Sequence, residues 1–347
     1  MAAFDHTQAE VEVMHFCHQA LQLEQHLDFP NGRLLRHNGC QDLLFRYLFS
    51  DKILYPLPPR YRLRILKQLV AEVEASIEDW DEHGISDNLM NSISELLASP
   101  LPSEAVSAQQ KCYVTYHLSL LRDTAQLRDP YPSITLLESR SLISGLGTTG
   151  LRTWEAALHL GQYLCRSPDI IKGRRVLELG AGTGYLAILC AKYLNATQVI
   201  ASDGSPDVTN FIPENFFLNF LEGSGGLSAM DLKWGHAIAG AEEEEWNAGD
   251  PIDVVLGADI TYDESTIPAL VATLLELFSH FPSLGVLISA TERNKTTYES
   301  FLRVCRLRAL SVTGLEFEMP TTSGGPFYSN TVPIRICRIA RAVKSPT

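Results

Sequence analysis

The sequence predicts an α/β protein whose main domain is a doubly wound sheet. From about residue 130 onward, short apolar segments alternate with amphipathic ones, which is typical of a parallel sheet covered by helices. A glycine-rich turn directly follows the apolar run at 174–180, as expected after a buried parallel strand. The last two apolar segments follow each other without a helix between them, which predicts an antiparallel hairpin at the sheet edge.

The N-terminal 125 residues are predicted to be helical. Apolar residues at spacings of three and four form an amphipathic stripe over 62–75. Similar stripes occur at 11–27, 41–49 and 105–121. We therefore expect a helical extension over residues 1–125 and a separate α/β domain over residues 126–347.

The α/β region divides into elements by its alternating pattern. The predicted strands are 133–145, 174–180, 197–203, 227–234, 251–259, 284–291, 310–318 and 332–341. The predicted helices are 185–194, 206–220, 266–280 and 298–307. A ligand of such a sheet binds at the carboxyl ends of the central strands, so residues there are the first candidates for a functional site.

Composition excludes several classes of protein. Of 347 residues, 45% are hydrophobic and 20% are charged, which excludes a mainly disordered chain. The net charge of −13 disfavours binding to the phosphates of nucleic acids. The seven cysteines are scattered without a C-x-x-C pair, which is typical of reduced thiols in the cytosol. Neither a signal peptide nor an apolar run of the roughly 20 residues that span a membrane is found, so we expect a cytoplasmic protein.

The strongest local motif is VLELGAGTGYL at 176–186. Its glycines Gly180, Gly182 and Gly184 would let the backbone approach a ligand closely. A dinucleotide fingerprint would have its third glycine where Tyr185 stands, which argues against NAD. Glu178 is a poor neighbour for a pyrophosphate but a good one for a cofactor with an ammonium group, such as S-adenosylmethionine. The alternative is a glycine-rich turn without a ligand.

Two residues at the ends of the following strands fit a nucleoside. Asp203 lies 25 residues after Glu178, an offset at which an acid accepts hydrogen bonds from ribose hydroxyls. It could equally cap the helix that follows. Trp234 ends the next strand, where an indole could pack against adenine or simply belong to the core.

The segment GADITYD at 257–263 ends a further strand. Ala258 is small enough to admit a cofactor methyl group. Asp259 and Tyr262 are three positions apart and could both face the cleft, where they would orient a lysine and help it lose its proton. The alternative is a helix cap followed by a core tyrosine.

Three other features are weaker. GLGTTGLRTWEAALHL at 145–160 places a loop before a helix that begins near Trp154; it could cover a cofactor carboxylate or be a hydrophobic helix start. His15, Cys17 and His18 lack the further ligands of a metal site, and we expect no metal. The EEEE run at 242–245 is expected to be a solvated loop.

Taken together, these motifs resemble the seven-β-strand methyltransferases of the protein-lysine branch. The stretch from Asp259 to Tyr262 is similar to the acid-x-x-tyrosine motif that this branch carries after its fourth strand. The doubled threonine before Trp154 and the helical extension are most similar to the members that methylate eukaryotic elongation factor 2. The resemblance implies a seven-stranded Rossmann-like methyltransferase sheet, S-adenosylmethionine as cofactor, and a lysine of elongation factor 2 as acceptor.

The resemblance also implies roles for individual residues. Catalysis would involve Asp259 and Tyr262, and Phe327 and Tyr328 would lie on the substrate rim. The cofactor would be bound by Trp154, Glu178, Gly180, Ala181, Gly182, Gly184, Asp203, Trp234 and Ala258. The alternatives are a methyltransferase of another protein, of a small molecule or of nucleic acid, and a scaffold that keeps the fold without turnover. The asparagine-proline-proline-aromatic motif of adenine-amino methyltransferases is absent, and GADITY stands in its place.

Overall fold

A computed structural model of the chain describes residues 6–122, 131–139, 150–236, 250–318 and 324–342. The chain forms two compact units. The first consists of Met1–Leu142 and Thr322–Phe327, and the second of Ile143–Thr321 and Tyr328–Thr347. The first unit therefore extends past residue 125, where the sequence analysis expects the extension to end. The described residues contain no helix that is long and apolar enough to cross a membrane.

The first unit begins with helices and ends with a small sheet. Its helices are α1 (His6–Leu21), α2 (Gly32–Leu35), α3 (Asn38–Leu48), α4 (Pro59–Ser76), α5 (Asp87–Ala98) and α6 (Glu104–Gln109). The apolar faces of α1 to α5 form one core that contains Phe16, Leu44, Leu66 and Leu89, all fully buried. The amphipathic spacing seen in the sequence thus reflects packing of these helices on each other.

The prediction of a helix over 105–121 is wrong. Helix α6 is followed by strand β1 (Cys112–His117), which pairs antiparallel with β2 (Ser133–Glu138). The sequence CYVTYH is rich in aromatic and β-branched residues, which favour a pleated strand over a helix. Across the pair, the hydroxyl oxygens of Thr115 and Thr135 lie 2.9 Å apart in a buried hydrogen bond.

The placement of 133–145 as the first strand of the α/β region is also wrong. Strand β2 pairs with β1 in a two-stranded sheet and takes no part in the large sheet. Both β1 and β2 lie in the first unit, so this unit is not wholly helical. Residues 140–145 lie outside the described residues.

The second unit is built on a seven-stranded sheet. Its strands are β3 (Arg175–Leu179), β4 (Gln198–Asp203), β5 (Leu227–Asp231), β6 (Val254–Ala258), β7 (Gly285–Thr291), β8 (Leu310–Leu315) and β9 (Ile334–Arg341). Its helices are α7 (Glu155–Arg166), α8 (Tyr185–Lys192), α9 (Pro206–Thr209), α10 (Ile212–Leu218), α11 (Ile267–His280) and α12 (Lys295–Leu307). The spatial order of the strands is β5-β4-β3-β6-β7-β9-β8.

The sheet confirms the predicted fold class. Strands β3 to β7 pair in parallel, whereas β9 pairs antiparallel with both β7 and β8. The central strands β3 and β6 are buried along almost their whole length, which explains why they are continuous apolar runs in the sequence. The chain proceeds from β3 outward to β4 and β5 and returns to β6 on the other side of β3. This reversal opens a crevice at the carboxyl ends of β3 and β6, where ligands of such folds bind.

Candidate active site

A cavity of about 730 Å³ lies at the carboxyl ends of the central strands in the second unit. It is large enough for a nucleoside cofactor together with an acceptor side chain. Both predicted catalytic residues and eight of the nine predicted cofactor residues line it: Trp154, Glu178, Gly180, Ala181, Gly182, Asp203, Trp234, Ala258, Asp259 and Tyr262. The structure thus gathers residues from β3, β4, β6, α7 and the segment after β5 around one space.

Three of the predicted residues do not line this cavity. Gly184 instead lies at the start of α8 and adopts a left-handed conformation with φ +80°. Phe327 belongs to the first unit, where its backbone N–H donates to Gln22 at 2.8 Å. The hydroxyl of Tyr328 lies 3.0 Å from Nδ1 of His159 on α7. The assignment of Phe327 and Tyr328 to a substrate rim therefore stays a prediction.

The glycine loop has no space for side chains at Gly180 and Gly182, because other atoms of the protein already lie there. Gly180 and Gly182 have φ values of +64° and +55°, which side-chain-bearing residues rarely adopt. A Cβ atom at Gly182 would lie 3.0 Å from the carbonyl oxygen of Gly150, and one at Gly180 would lie 2.7 Å from Cγ2 of Ile260. Only bare backbone fits here, and that backbone forms one wall of the cavity.

Tyr185 shows why the dinucleotide pattern is broken at this position. Its side chain is fully buried behind the loop. It packs on Gly161 of α7, where an added Cβ would lie 2.8 Å from a tyrosine ring carbon. In a dinucleotide-binding fold, a glycine at this position lets the strand and the helix pack closely. Here the position holds Tyr185, whose ring packs against Gly161 of α7.

Asp203 ties the glycine loop to the end of β4. One carboxylate oxygen accepts from the N–H of Gly182 at 3.1 Å, and the other from the N–H of Ser205 at 3.0 Å. Burial raises the pKa of this carboxyl, against the lowering effect of these backbone donors. The contact with Ser205 resembles the capping alternative considered from the sequence, yet the carboxylate also borders the cavity and retains further lone pairs for a ligand.

Glu178 is almost completely buried, with 3% of its surface exposed. Its Oε2 accepts from the N–H of Ala187 in the first turn of α8 at 2.9 Å. Burial, reinforced by the charge of Asp203, raises the pKa of Glu178 to about 8, although the Ala187 N–H opposes the shift. The side chain therefore supports the start of α8 as well as bordering the cavity.

Asp259 is held firmly at the end of β6. Its backbone is left-handed, with φ +53°, an uncommon conformation for a residue with a side chain. Its carboxylate accepts from the Thr291 N–H at 2.8 Å, from the Thr291 hydroxyl at 3.1 Å and from Nη1 of Arg293 at 3.0 Å. Burial raises the pKa of Asp259, while Thr291 and Arg293 counteract the effect.

Tyr262 contrasts with Asp259 in its exposure. Its side chain is 62% exposed and lines the cavity, so the core-tyrosine alternative is wrong. The spacing of three residues therefore brings one buried carboxylate and one accessible phenol to the same cavity. Such a pair can contact an amine that enters from solvent.

Sequence reasoning missed Arg293, Glu155 and Arg152. The Arg293 guanidinium bridges Asp259 and Glu155, with Nη2 2.8 Å from Oε2 of Glu155. It lies 4.9 Å from the ring centre of Trp154, and Arg152 lies 5.0 Å from the same centre. Arg293 comes just after β7, which ends at Thr291, so the rule that strand ends carry ligand-binding residues could have identified it.

Other features of the sequence have structural roles or are not described. His15 pairs with Asp28 at 3.1 Å, and the ring of His18 stacks on that of His117 at 3.5 Å. Within the residues that the structure describes, no group of three or more His, Cys, Asp and Glu side chains is arranged to hold a metal ion. The EEEE run and the doubled threonine at 148–149 lie outside the described residues.

Comparison with known proteins gives consistent matches. A family model described as lysine methyltransferase matches residues 142–306. The protein-lysine N-methyltransferase EFM3 of Chaetomium thermophilum is 57% identical over 329 residues, which cover 94% of this chain and 97% of that protein. EFM3 of Saccharomyces cerevisiae is 31% identical over 64% of this chain and 70% of its own length. The human protein-lysine N-methyltransferase EEF2KMT is 33% identical over 49% of this chain and 53% of its own length.

Proposed function

The chain belongs to the lysine methyltransferase family and is an S-adenosylmethionine-dependent protein-lysine N-methyltransferase, and we propose that its acceptor is a lysine of elongation factor 2. The resemblance to this family that the motifs indicated is therefore confirmed. A scaffold without turnover and a small-molecule or nucleic-acid acceptor are accordingly disfavoured. The acceptor protein, the roles of the individual residues and the place of action are proposals.

The cavity fits the cofactor by its chemistry. The bare backbone at Gly180 and Gly182 leaves space beside an acid at the end of β4, which is the arrangement that a nucleoside with an extended substituent requires. In our proposal Asp203 accepts from the ribose hydroxyls and Trp234 packs against adenine. When bound, S-adenosylmethionine supplies an electrophilic methyl group on a positively charged sulfur.

The chain's own residues would act on the acceptor amine. A lysine has an ordinary pKa near 10.4 and must lose its proton before its lone pair can attack a methyl group. Asp259, already fixed by Thr291 and Arg293, orients the amine without having to be ordered first. The exposed Tyr262 contacts the lysine from the solvent side. The main contributions are alignment and removal of water.

The choice of elongation factor 2 rests on similarity. The doubled threonine before Trp154 is similar to that of the enzymes that act on this factor, and the name of the human relative EEF2KMT refers to it. We also propose a cytoplasmic location, because the six buried cysteines are free thiols.

Labelling a cell lysate tests this function. The chain is incubated with methyl-labelled S-adenosylmethionine and a lysate from cells that lack their own enzyme, and labelled proteins are identified by mass spectrometry. We expect one labelled protein, elongation factor 2, carrying methyl groups on a lysine. A different labelled protein would refute the substrate, and label on arginine or RNA would refute the lysine chemistry.

The matched variants for this experiment are Asp259→Asn and Asp263→Asn. Asp263 lies in the same turn but is exposed, does not line the cavity and bonds only to Ser265 and Thr266 among the described contacts. We expect label to be lost with the first substitution and kept with the second. Equal loss in both would indicate that the turn, and not the Asp259 carboxylate, matters.

We further propose that the first unit contributes contacts to the protein substrate. An enzyme that modifies one lysine of a folded protein needs contacts beyond that side chain to distinguish it from others. A shortened chain beginning at residue 143 is expected to bind S-adenosylmethionine but to lose transfer to intact elongation factor 2. Cofactor binding shows that the shortened chain has folded, and full retained transfer would leave the first unit a stabilising role.

A further inference from the structure

Arg293, a cation of the chain itself, lines the cavity next to Asp259. Arg293 bonds to Asp259 at 3.0 Å and to Glu155 at 2.8 Å, and its guanidinium lies over the ring of Trp154. Two carboxylates and an aromatic face are also the groups that would bind a lysine ammonium ion. In this chain the two carboxylates and the ring of Trp154 already contact Arg293.

In the part of the chain that the structure describes, the charges around Arg293 balance. Asp259 and Glu155 carry the negative charges, and Arg293 and Arg152 the positive ones, with Arg152 3.6 Å from Glu155. The adjacent Glu292 is paired with Arg335 on β9 at 2.9 Å. Tyr262 also lines the cavity, as do Lys233 and His236 after β5. Among the described residues, the carboxylates of Asp259 and Glu155 are therefore already paired with arginines before any substrate arrives.

This neutrality matters for the reaction. Uncompensated carboxylates would bind the acceptor as an ammonium ion, which has no lone pair for attack, because an opposite charge nearby favours the charged form. A guanidinium remains protonated under all relevant conditions, so its charge does not depend on pH. The carboxylate of Asp259 does not need Arg293 for its placement, because the N–H and hydroxyl of Thr291 already fix it.

We propose that Arg293 is a positioning residue that neutralises Asp259 and Glu155, so that the acceptor lysine meets Asp259 in the cavity as a neutral amine. The inference rests on the proposed function, since it concerns the acceptor side of the same cavity. Arg293 and Glu155, which set the charge around Asp259 in this proposal, lie outside the acid-x-x-tyrosine motif. The ammonium proton leaves to solvent. The nitrogen lone pair would then form the new N–C bond while the bond between the methyl carbon and the sulfur of S-adenosylmethionine breaks, its electron pair staying on the sulfur.

The test compares pH profiles of charge-changing variants. Single-turnover methyl transfer to elongation factor 2 is measured at saturating substrate and cofactor, because this rate reports ionisations in the bound complex. In Arg293→Gln we expect the rising limb of the profile to move up by about one pH unit, since the carboxylates then favour the ammonium form. In Glu155→Gln we expect a shift in the opposite direction. The double variant Arg293→Gln/Glu155→Gln is expected to return toward the wild-type profile.

Two further variants separate charge from structure. Arg293→Lys keeps the charge but not the two-sided bridge, so its rate is expected to fall while the position of its profile stays that of the wild type. Arg306→Gln removes an exposed arginine on α12 as a control. If Arg293→Gln and Glu155→Gln lower the rate equally at every pH, and the double variant is worse than either, the proposal is wrong.

Folding and substrate identity are controlled separately. Arg293 is 41% exposed and Glu155 26%, and melting curves show whether each variant folds. If Arg293→Gln does not fold, the shift in Glu155→Gln alone decides, because an unchanged profile there refutes the charge balance. A wild-type chain that does not methylate elongation factor 2 would refute the proposed substrate instead, and the comparison is then made with the acceptor found by lysate labelling.

Discussion

Asp203→Asn should separate cofactor binding from folding. The wild-type carboxylate accepts from the backbone N–H groups of Gly182, Ser205 and Gly204, which leaves acceptor capacity for a ribose hydroxyl. The amide keeps one oxygen but replaces the other with a donor, so one ribose bond to a charged acceptor is lost. Such a bond contributes about 1.5–3 kcal/mol, which corresponds to a roughly tenfold to hundredfold weaker affinity for S-adenosylmethionine.

The same substitution should have little effect on stability. Burial raises the pKa of Asp203 in the folded state, so its ionised form is favoured less than in the unfolded chain. Because the pKa of Asp203 is raised, the free energy of unfolding of the wild type falls as pH rises from the unfolded-state pKa through the folded-state pKa. The uncharged amide of asparagine does not titrate and removes this loss. This gain opposes the lost backbone bond, and we expect a melting temperature close to that of the wild type.

Calorimetry and melting curves with and without S-adenosylmethionine measure both effects. Asp207→Asn, an exposed acid in the first turn of α9 outside the cavity lining, is the control and should bind as the wild type does. We expect the cofactor to raise the melting temperature of the control but hardly that of Asp203→Asn. Unchanged affinity in a folded Asp203→Asn chain would remove this residue from the binding site.

Four other substitutions test separate parts of the account. Gly182→Ala, at φ +55°, should strain the glycine loop by about 1–2 kcal/mol and weaken the affinity for S-adenosylmethionine, which titration measures. An unchanged affinity would contradict the role of this loop in cofactor binding. Asp259→Asn should reduce methyl transfer at least tenfold with little change in cofactor affinity; a normal turnover rate would eliminate it as a catalytic residue. Tyr262→Phe should reduce methyl transfer less than Asp259→Asn does, because only the hydroxyl is lost. A larger reduction than in Asp259→Asn would mean that Tyr262 is the more important of the two residues. Glu178→Gln should gain stability relative to the wild type as pH rises from 4.5 to about 8, since over that interval the folded wild type still holds a proton that its unfolded chain has released; an unchanged difference in melting temperature across pH would refute this.

Local signals in the sequence are sufficient to predict the sheet and most of the residues that line the cavity. The apolar run before Gly180 and the positive-φ glycines after it are features of one short segment, so their pattern is visible without tertiary information. The acids that end β4 and β6 follow the same rule, because strand ends in a parallel sheet lie at one edge.

Distant contacts were not visible in the sequence. Glu155 and Arg293 are 138 positions apart, and nothing near either residue indicates their ion pair. The strand at 112–117 was mistaken for a helix because short apolar segments fit both periodicities until a pairing partner is known. Phe327 and Tyr328 are adjacent in the chain, yet Phe327 bonds to Gln22 and Tyr328 to His159, in different units.

The most direct test of the central claim is methyl transfer to purified, unmethylated elongation factor 2. The full chain, the factor and S-adenosylmethionine are combined, and peptides are analysed by tandem mass spectrometry, with Asp259→Asn as the inactive comparison. The account predicts methyl groups on a lysine of the factor with the wild type and at least tenfold fewer with the variant. An unmodified factor, with a wild-type chain that binds the cofactor, would contradict it.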